Sequence, residues 1–268
     1  MKKLIVILVI LATIVGVSGS VICCANARCD HRSSVKGSGK LVSRTLTLEK
    51  FDRVSASRGV KVVLAAGSAL QQASLEADDN VIDQVIVCVE WGELKVSLDP
   101  KLQSLSNINV TLTAPTEGRI SQIETSSGAV VESAVTLTGD ALELDASSGS
   151  RIEVTSHVAQ CDVDASSGAE IVARMSAATC DADASSGAEV RLAGSAHDGT
   201  IEGSSGAEIN AKQLAVNNCT ARASSGATVA VLCSDQLNAS ASSAASIYYE
   251  GVCKAKTQVS SGGTIHKK

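Results

Sequence analysis

The sequence predicts an all-β protein that forms a single right-handed parallel β-helix, a solenoid whose coils are 18–21 residues long. Three observations predict this fold. A Ser-Ser-Gly repeat runs through the C-terminal half, apolar and polar residues alternate between its copies, and the 268-residue chain holds only four aromatic side chains. A core without rings suits a narrow, layered interior. The copies begin at Ser126, Ser147, Ser166, Ser185, Ser204, Ser224 and Ser260, with Ser242-Ser243-Ala244 as a degenerate copy.

Aligning the copies on their first serine shows which positions are apolar; we call the residues at one position of every copy a column. The column five residues after the serine is apolar throughout: Val131, Ile152, Ile171, Val190, Ile209, Val229, Ile247 and Ile265. The columns three and one before the serine are apolar or small in nearly every copy, and polar residues lie between them. Alternation with period two is the pattern of a β-strand with one buried and one exposed face.

Each coil is expected to bend at its glycine, where φ can be positive, with the serine hydroxyls capping backbone groups at the turn. Coils stacked ~4.8 Å apart then place identical columns above one another. An earlier copy spans residues 54–62 with Arg58 in place of the second serine, so the solenoid is expected to begin near residue 46. Strand-like runs follow at 85–89, 94–98 and 108–112. Tyr248-Tyr249 and Lys267-Lys268 are expected to protect the C-terminal end against edge-to-edge pairing.

The N-terminus has the layout of an export signal. Two lysines precede an apolar run from Leu4 to Val17, and the small residues Ala25-Asn26-Ala27 follow. We therefore predict a signal peptide over residues 1–27, with an uncleaved membrane anchor as the alternative, and a linker over residues 28–45 before the solenoid domain at 46–268. Lipidation at Cys23 or Cys24 is disfavoured because the bulky Ile22 precedes Cys23. The expected location is the periplasm, the outer-membrane surface or the extracellular space.

These residues resemble a known family, the auto-transporter adhesin head GIN domain, formerly a domain of unknown function and common in Bacteroidetes. Phe51-Asp52-Arg53-Val54 leads into Ser57-Arg58-Gly59-Val60-Lys61-Val62, tandem Ala-Ser-Ser-Gly-Ala copies follow, and Ile247-Tyr248-Tyr249-Glu250-Gly251 precedes the last Ser260-Ser261-Gly262-Gly263. The resemblance covers residues 46–268. It implies a β-helical fold and an exported or cell-envelope location, and it supplies no catalytic residues to carry over.

Acidic residues recur at outward positions two before and four after the first serine. Such rows repel by about 1 kcal/mol per close pair in water unless cations or water screen them. One hypothesis is a weak Ca²⁺-binding face, because Ca²⁺ takes six to eight flexible oxygen ligands. The alternative is a solvated surface that keeps the coil soluble. The candidate residues are Asp162, Asp164, Glu170, Asp181, Asp183, Glu189, Glu202 and Glu208.

Cys161, Cys180 and Cys219 share one inward column, so Cys161 and Cys180 are predicted to be neighbours on adjacent coils. A disulfide between them is geometrically possible, and free thiols acting as small apolar fillers are the alternative. No Cys-x-x-Cys pair supports a zinc or redox site, and no sequence motif ties the four histidines to a serine and an acid. We expect no resident cofactor and no catalytic residue.

The formal net charge of −5 gives no basic footprint for nucleic acid. We expect an exported, non-enzymatic adhesin or scaffold that contacts a surface polymer or an envelope protein, and a membrane only through an uncleaved N-terminal segment. The scarcity of aromatic residues argues against stacking platforms for glycans. The alternative is a carbohydrate-active lyase or hydrolase on an acidic polysaccharide, since pectin-cleaving enzymes also use β-helices. Against it, no long insertion interrupts the repeat to form a cleft.

Overall fold

The computed structural model describes residues 33–68 and 72–268, in which we find nineteen β-strands and one single-turn 3₁₀ helix at Ile82–Gln84. The strands are β1 (Ser33–Lys36), β2 (Leu41–Thr47), β3 (Arg53–Ala56), β4 (Lys61–Ala66), β5 (Gln72–Asp78), β6 (Val85–Glu90), β7 (Glu93–Leu98), β8 (Leu102–Ser106), β9 (Val110–Thr116), β10 (Gln122–Thr125), β11 (Val130–Ala146), β12 (Arg151–Ala165), β13 (Glu170–Ala184), β14 (Glu189–Gly203), β15 (Glu208–Ala223), β16 (Thr228–Ala241), β17 (Ser246–Glu250), β18 (Lys254–Val259) and β19 (Thr264–Lys267). The predicted signal peptide lies outside the described residues.

The repeat forms a parallel β-solenoid of about eight turns, which confirms the predicted fold class. Strands β11 to β16 pair in order, each with the next, and all of these pairings are parallel. The register follows the columns: Ile152 pairs with Ile171, and Ile171 with Val190. Identical columns therefore lie above one another, as the repeat predicts.

The Ser-Ser-Gly segment is a tight turn with two consecutive residues at positive φ. In the copy at Ser166, Ser167 has φ 53° and Gly168 has φ 71°, and the Ala169 N–H donates to the Ser166 carbonyl at 3.1 Å. This is the geometry of a type I′ turn. The sequence predicted a left-handed glycine; the second serine shares that conformation, and backbone groups close the turn. Each turn also bonds to the next coil, since the Gly168 N–H donates to the Ser186 carbonyl at 3.1 Å.

The interior is filled by the predicted columns. The column five positions after the serine has eight residues, and seven of them are fully buried. The eighth, Ile265 in the last coil, is half-buried. Cys161 and Cys180 pair in register, both are buried, and their thiols are free. Burial raises the pKa of Cys161 to about 12, so this thiol stays protonated at neutral pH and packs as a small apolar group.

The N-terminal end of the solenoid is closed by strands outside the repeat. β3 and β4 form the first coil and pair in parallel with β10 and β11, so that Val54 lies beside Ile123 and Val62 beside Val131. This confirms the early copy at residues 54–62. On their other side, β3 and β4 pair in parallel with β7 and β9. Antiparallel pairing then adds β6 to β7, β5 to β9 and β2 to β5. The strand-like runs predicted in this region correspond to β6, β7 and β9.

The segment predicted as a linker is residues 28–45, of which the described part, residues 33–45, contains paired strands. β1 pairs with β8 in parallel, and β2, which extends from Leu41 to Thr47, pairs along its whole length with β5. The linker prediction rested on a composition rich in Ser, Gly, Lys and Arg. That composition conceals an alternating strand, in which Val42, Arg44 and Leu46 are half-buried between exposed neighbours.

At the C-terminal end, β17 and β18 pair with β16, and β19 pairs with β17. Every residue of β18 is exposed, and Val259 in an inward column is 53% exposed, because within the described residues no further coil covers this strand. Tyr248 stacks on His266 with ring centroids 5.5 Å apart, and the Lys268 ammonium lies 4.9 Å from the Tyr248 ring. These contacts involve two of the residues predicted to protect this end.

Candidate functional site

The candidate site is a repetitive outer surface, which we call the polar face. It consists of the outward side chains two, four and six residues before each Ser-Ser-Gly serine. They lie in residues 122–124, 141–145, 160–164, 179–183, 198–202, 218–222, 236–240 and 254–258, which pair in register from coil to coil. The apolar residues between them point into the core, so alternation alone places these polar groups on one surface.

Two shallow grooves run along the polar face. One, of about 660 Å³, is lined by the column two before the serine and by the serines themselves, including Asp164, Asp183 and Glu202. The other, of about 510 Å³, is lined mainly by hydroxyl, amide and carboxylate groups, including Thr200, Asn218 and Asn238. A polymer lying along the solenoid axis would therefore meet hydrogen-bonding groups at every coil.

One column of the polar face is an acidic row, formed by Glu124, Asp145, Asp164, Asp183 and Glu202. Each pairs in register with the next. The pKa of Asp164 is raised by partial burial and then by Asp145 and Asp162. The pKa of Asp183 is raised by partial burial and then by Glu202, Asp164 and Asp181. Asp164 and Asp183 thus hold a proton more strongly than isolated aspartates do.

The eight acids predicted as one candidate face fall into two groups. Asp162, Asp164, Asp181, Asp183 and Glu202 lie on the polar face. Glu170, Glu189 and Glu208 lie beyond the Ser-Ser-Gly turn, at the starts of β13, β14 and β15. The repeat correctly predicts the acidic columns two before and four after the serine. The Ser-Ser-Gly turn lies between these columns and places them on different surfaces.

Arginines neutralise much of the second group. Arg151 and Arg191 both form ion pairs with Glu170, and Arg191 also pairs with Glu189. The Arg151 guanidinium lowers the pKa of Glu170, most strongly through its hydrogen bond. Arg222 pairs with Glu202 at the end of the acidic row. These partners are absent from the prediction made from the sequence, although the repeat carries the signal for them: Arg151 shares a column with Glu170, and Arg222 with Glu202.

No group of three or more His, Cys, Asp or Glu side chains in the described ranges is arranged to hold a metal ion. In the acidic row the carboxylates form a line, with one at each coil step of ~4.8 Å, whereas Ca²⁺ needs its oxygens converging on one point. The Ca²⁺-binding face stays a prediction, restricted to the five predicted acids that lie on the polar face.

Charge changes sign along the polar face. The coils from residue 141 to residue 202 carry carboxylates, the coil at 218–222 carries Arg222, and the last coil continues the same columns with Lys254 and Lys256. Asn218, Thr220, Gln236, Asn238 and Ser240 lie between the two ends. The surface is therefore acidic toward the N-terminal end, neutral farther along and basic at the C-terminal end. Such a gradient would orient a charged polymer along the axis.

Known proteins resemble this chain both in sequence and in fold. Residues 50–252 match the family model described as "Putative auto-transporter adhesin, head GIN domain". A comparison with curated proteins found no match. Within the described residues there is no helix long and apolar enough to span a bilayer.

Several solved structures share the architecture. A "putative adhesin" from Parabacteroides merdae is 20% identical with a TM-score of 0.78, covering 88% of this chain and 99% of its own. A "putative adhesin" from Parabacteroides distasonis is 19% identical with a TM-score of 0.79, covering 88% and 100%. A "putative lipid binding protein" from the same species is 13% identical with a TM-score of 0.75, also covering 88% and 100%. At these identities the similarity establishes the fold alone.

Proposed function

This chain belongs to the auto-transporter adhesin head GIN domain family, and we propose that it is an exported, non-enzymatic adhesin or scaffold of the cell envelope. We further propose that it contacts an extended polymer or an envelope protein through the polar face. The observation that carries the proposal is the repetition of equivalent polar groups at each coil. Many weak, equivalent contacts along one ligand add up to strong binding, because after the first contact the others form at high effective concentration.

The form of the surface supports binding rather than catalysis. The acids of the polar face recur at one position in successive coils, whereas an active site needs a singular arrangement of an acid and a base. The two grooves are shallow and run parallel to the axis, which suits a ligand that is long and repetitive itself. The family description and the similar structures name adhesion and lipid binding, and these names favour the same class of function.

Adhesion by host cells tests the proposal. Cells lacking the protein would be complemented with the natural chain or with a variant neutralised on the polar face, Asp164→Asn, Asp181→Asn, Asp183→Asn and Glu202→Gln. We expect adhesion to be restored by the first and reduced roughly tenfold in the second. The matched control is Glu132→Gln, Glu170→Gln, Glu189→Gln and Glu208→Gln, which removes four charges outside the polar face and should retain adhesion.

Location is tested by protease treatment of intact and lysed cells. Digestion on intact cells supports a surface adhesin. Protection until lysis would contradict adhesion to other surfaces and would restrict the proposal to a periplasmic scaffold. Equal adhesion by cells with and without the protein would overturn the adhesin function.

A further inference from the structure

Trp91, the chain's only tryptophan, lies at the tip of the β6–β7 hairpin near the N-terminal end of the solenoid. Trp91 is 94% exposed to solvent. Trp91 and Gly92 form the two-residue turn, with φ 54° and 80°. This is again a type I′ turn, in which Asn-Gly is the favoured pair. A large aromatic residue is unusual there, because its Cβ makes the left-handed conformation unfavourable.

The tip is held rigidly against the first coil. The Gly92 carbonyl accepts hydrogen bonds from the Asp52 N–H at 2.9 Å and the Arg53 N–H at 3.2 Å. The Arg53 guanidinium also donates to the Trp91 carbonyl. β7 pairs with β3 through Glu93 and Arg53, directly beside the turn. The indole is therefore presented to solvent from a fixed backbone, so binding would require little ordering of the loop.

Charged groups surround the tip, and they are paired. The Lys95 ammonium lies 3.1 Å from a Glu90 carboxylate oxygen and 3.6 Å from one of Glu93. The Arg53 guanidinium lies 3.8 Å from an Asp52 carboxylate oxygen. The result is one exposed apolar ring on a tip that is flanked by hydrogen-bonding groups with little net charge.

We propose that Trp91 is a saccharide-binding platform, with its indole stacking on the apolar face of a pyranose ring and the flanking charged groups bonding to the ring's hydroxyl groups. This inference rests on the proposed function and names the ligand class at the hairpin tip, a polysaccharide that presents uncharged pyranose rings there. A pyranose ring has an apolar face whose edge carries hydroxyl groups. The indole can cover that face, and the polar groups beside the tip can bond to those hydroxyls. Membrane insertion would bring Glu90, Glu93 and Asp52 against lipid headgroups, and a protein hot spot would need apolar neighbours around the ring.

The strained backbone supports a binding role. The hairpin turn requires the left-handed conformation at this position, but a tryptophan there costs stability, and residues in sparsely populated conformations cluster at functional sites. The same feature supplies a control. Asparagine favours the left-handed conformation, so Trp91→Asn removes the ring while relieving the turn, and the variant should melt at the same temperature or higher. Loss of binding in this variant therefore cannot be attributed to unfolding.

The test is a titration of the purified chain with soluble hexasaccharides of glucose, xylose, mannose and N-acetylglucosamine. Tryptophan emission reports on this ring alone, because the chain has one tryptophan. We expect a blue shift with at least one sugar. Calorimetry should show roughly tenfold or weaker binding of that sugar by Trp91→Asn and retained binding by Trp91→Tyr. Emission unchanged by all four sugars, or shifted only by phosphatidylcholine–phosphatidylglycerol vesicles, would overturn the assignment.

Cell adhesion separates this inference from the proposed function. If cells carrying Trp91→Asn adhere as well as cells with the natural chain, the platform is refuted and the adhesin function stands. If the natural chain confers no adhesion at all, the adhesin function fails whatever the sugars do to Trp91.

Discussion

Ser150 and Ser156 are both buried, at 2% and 3% exposure, but their hydroxyls differ in partners. The Ser150 hydroxyl contacts the Thr125 hydroxyl at 2.9 Å, donates to the Thr125 carbonyl at 3.0 Å and accepts from the Ser147 N–H at 3.1 Å. The Ser156 hydroxyl has no partner among the described residues. A buried polar group without a partner costs free energy that a bonded one does not.

We therefore predict opposite effects of the same substitution. Ser150→Ala should lower the free energy of unfolding by about 1–2 kcal/mol, since it leaves the Thr125 hydroxyl without its partner. Ser156→Ala should leave it unchanged or raise it by up to about 1 kcal/mol. Urea denaturation measures both. Equal destabilisation by the two substitutions would contradict the assignment.

Ala244 occupies the glycine position of the degenerate repeat copy, at φ 61°. An alanine in the left-handed region is strained by its Cβ, so Ala244→Gly should stabilise the protein by about 1 kcal/mol. The control is Gly187→Ala at the equivalent turn, where an added Cβ would have no neighbour within 4 Å. It should destabilise by a similar amount through the backbone alone. Thermal melting checks both, and a lower melting temperature for Ala244→Gly would refute the argument.

At the scale of the strand, the two acidic columns should respond oppositely to pH. The raised pKa of Asp183 means that the folded state binds its proton more tightly than the unfolded state. Its stabilising effect is therefore complete below about pH 4 and is lost as pH rises through the folded pKa. Asp183→Asn should raise the free energy of unfolding by about 0.5 kcal/mol at pH 7 and have no such effect near pH 3. The effect at pH 7 is small because salt screens charges in so exposed a row.

Glu170 provides the comparison, because its pKa is lowered by Arg151. Its stabilising effect is present above about pH 4.3 and is lost as pH falls through the lowered folded value. Glu170→Gln should therefore lower stability by about 0.5–1 kcal/mol at pH 7, and the difference should vanish in acid. Denaturation curves at pH 3 and pH 7 distinguish the columns; the same sign for both variants at pH 7 would refute the distinction.

The acidic row also gives the Ca²⁺ hypothesis a direct test. If the row binds Ca²⁺, millimolar CaCl₂ should raise the melting temperature of the natural chain, because a ligand that binds only the folded state stabilises it. The double variant Asp164→Asn, Asp183→Asn should lose that increase. An unchanged melting temperature of the natural chain would leave the row as a solvated surface.

For the whole molecule, the effect of a deletion on stability should depend on whether it removes an internal coil of the repeat or strands that cover the end of the solenoid. Deleting residues 170–188 removes one coil and joins Ala169 to Glu189, which reproduces the natural Ala188-Glu189 junction. Neighbouring coils supply equivalent contacts, so this variant should fold and melt roughly 5–10 °C lower. Deleting residues 80–98, also 19 residues, removes β6 and β7 and uncovers β3. That variant should aggregate, because an uncovered strand edge pairs with other chains.

Circular dichroism and size-exclusion chromatography compare the two deletions. A folded monomer after removal of residues 80–98 would show that β6 and β7 are dispensable as a cap. Aggregation after removal of residues 170–188 would show that the coils are not equivalent.

The repeating part of this protein can be predicted from its amino-acid sequence alone. Because the copies recur every 18–21 residues, each strand lies beside its own equivalent in the next coil, and period-two alternation decides which side chains point inward. The register of Cys161 with Cys180, the burial of the column from Val131 to Ile247 and the early coil at residues 54–62 follow from that rule. The acidic columns could be predicted for the same reason.

The parts of the fold that the repeat does not encode became visible in the three-dimensional structure. Antiparallel pairing joins β2 to β5, β5 to β9 and β6 to β7 at separations unrelated to the repeat, so no periodicity indicates these partners, and the composition of residues 28–45 predicts a linker where β1 and most of β2 lie. The Ser-Ser-Gly turn separates Glu170 from Asp164, although the residues are close in sequence. The exposure of Trp91 depends on where the hairpin packs against Asp52 and Arg53. Local periodicity determines neighbours within a repeat, whereas the cap, the ion pairs and the tip depend on long-range packing.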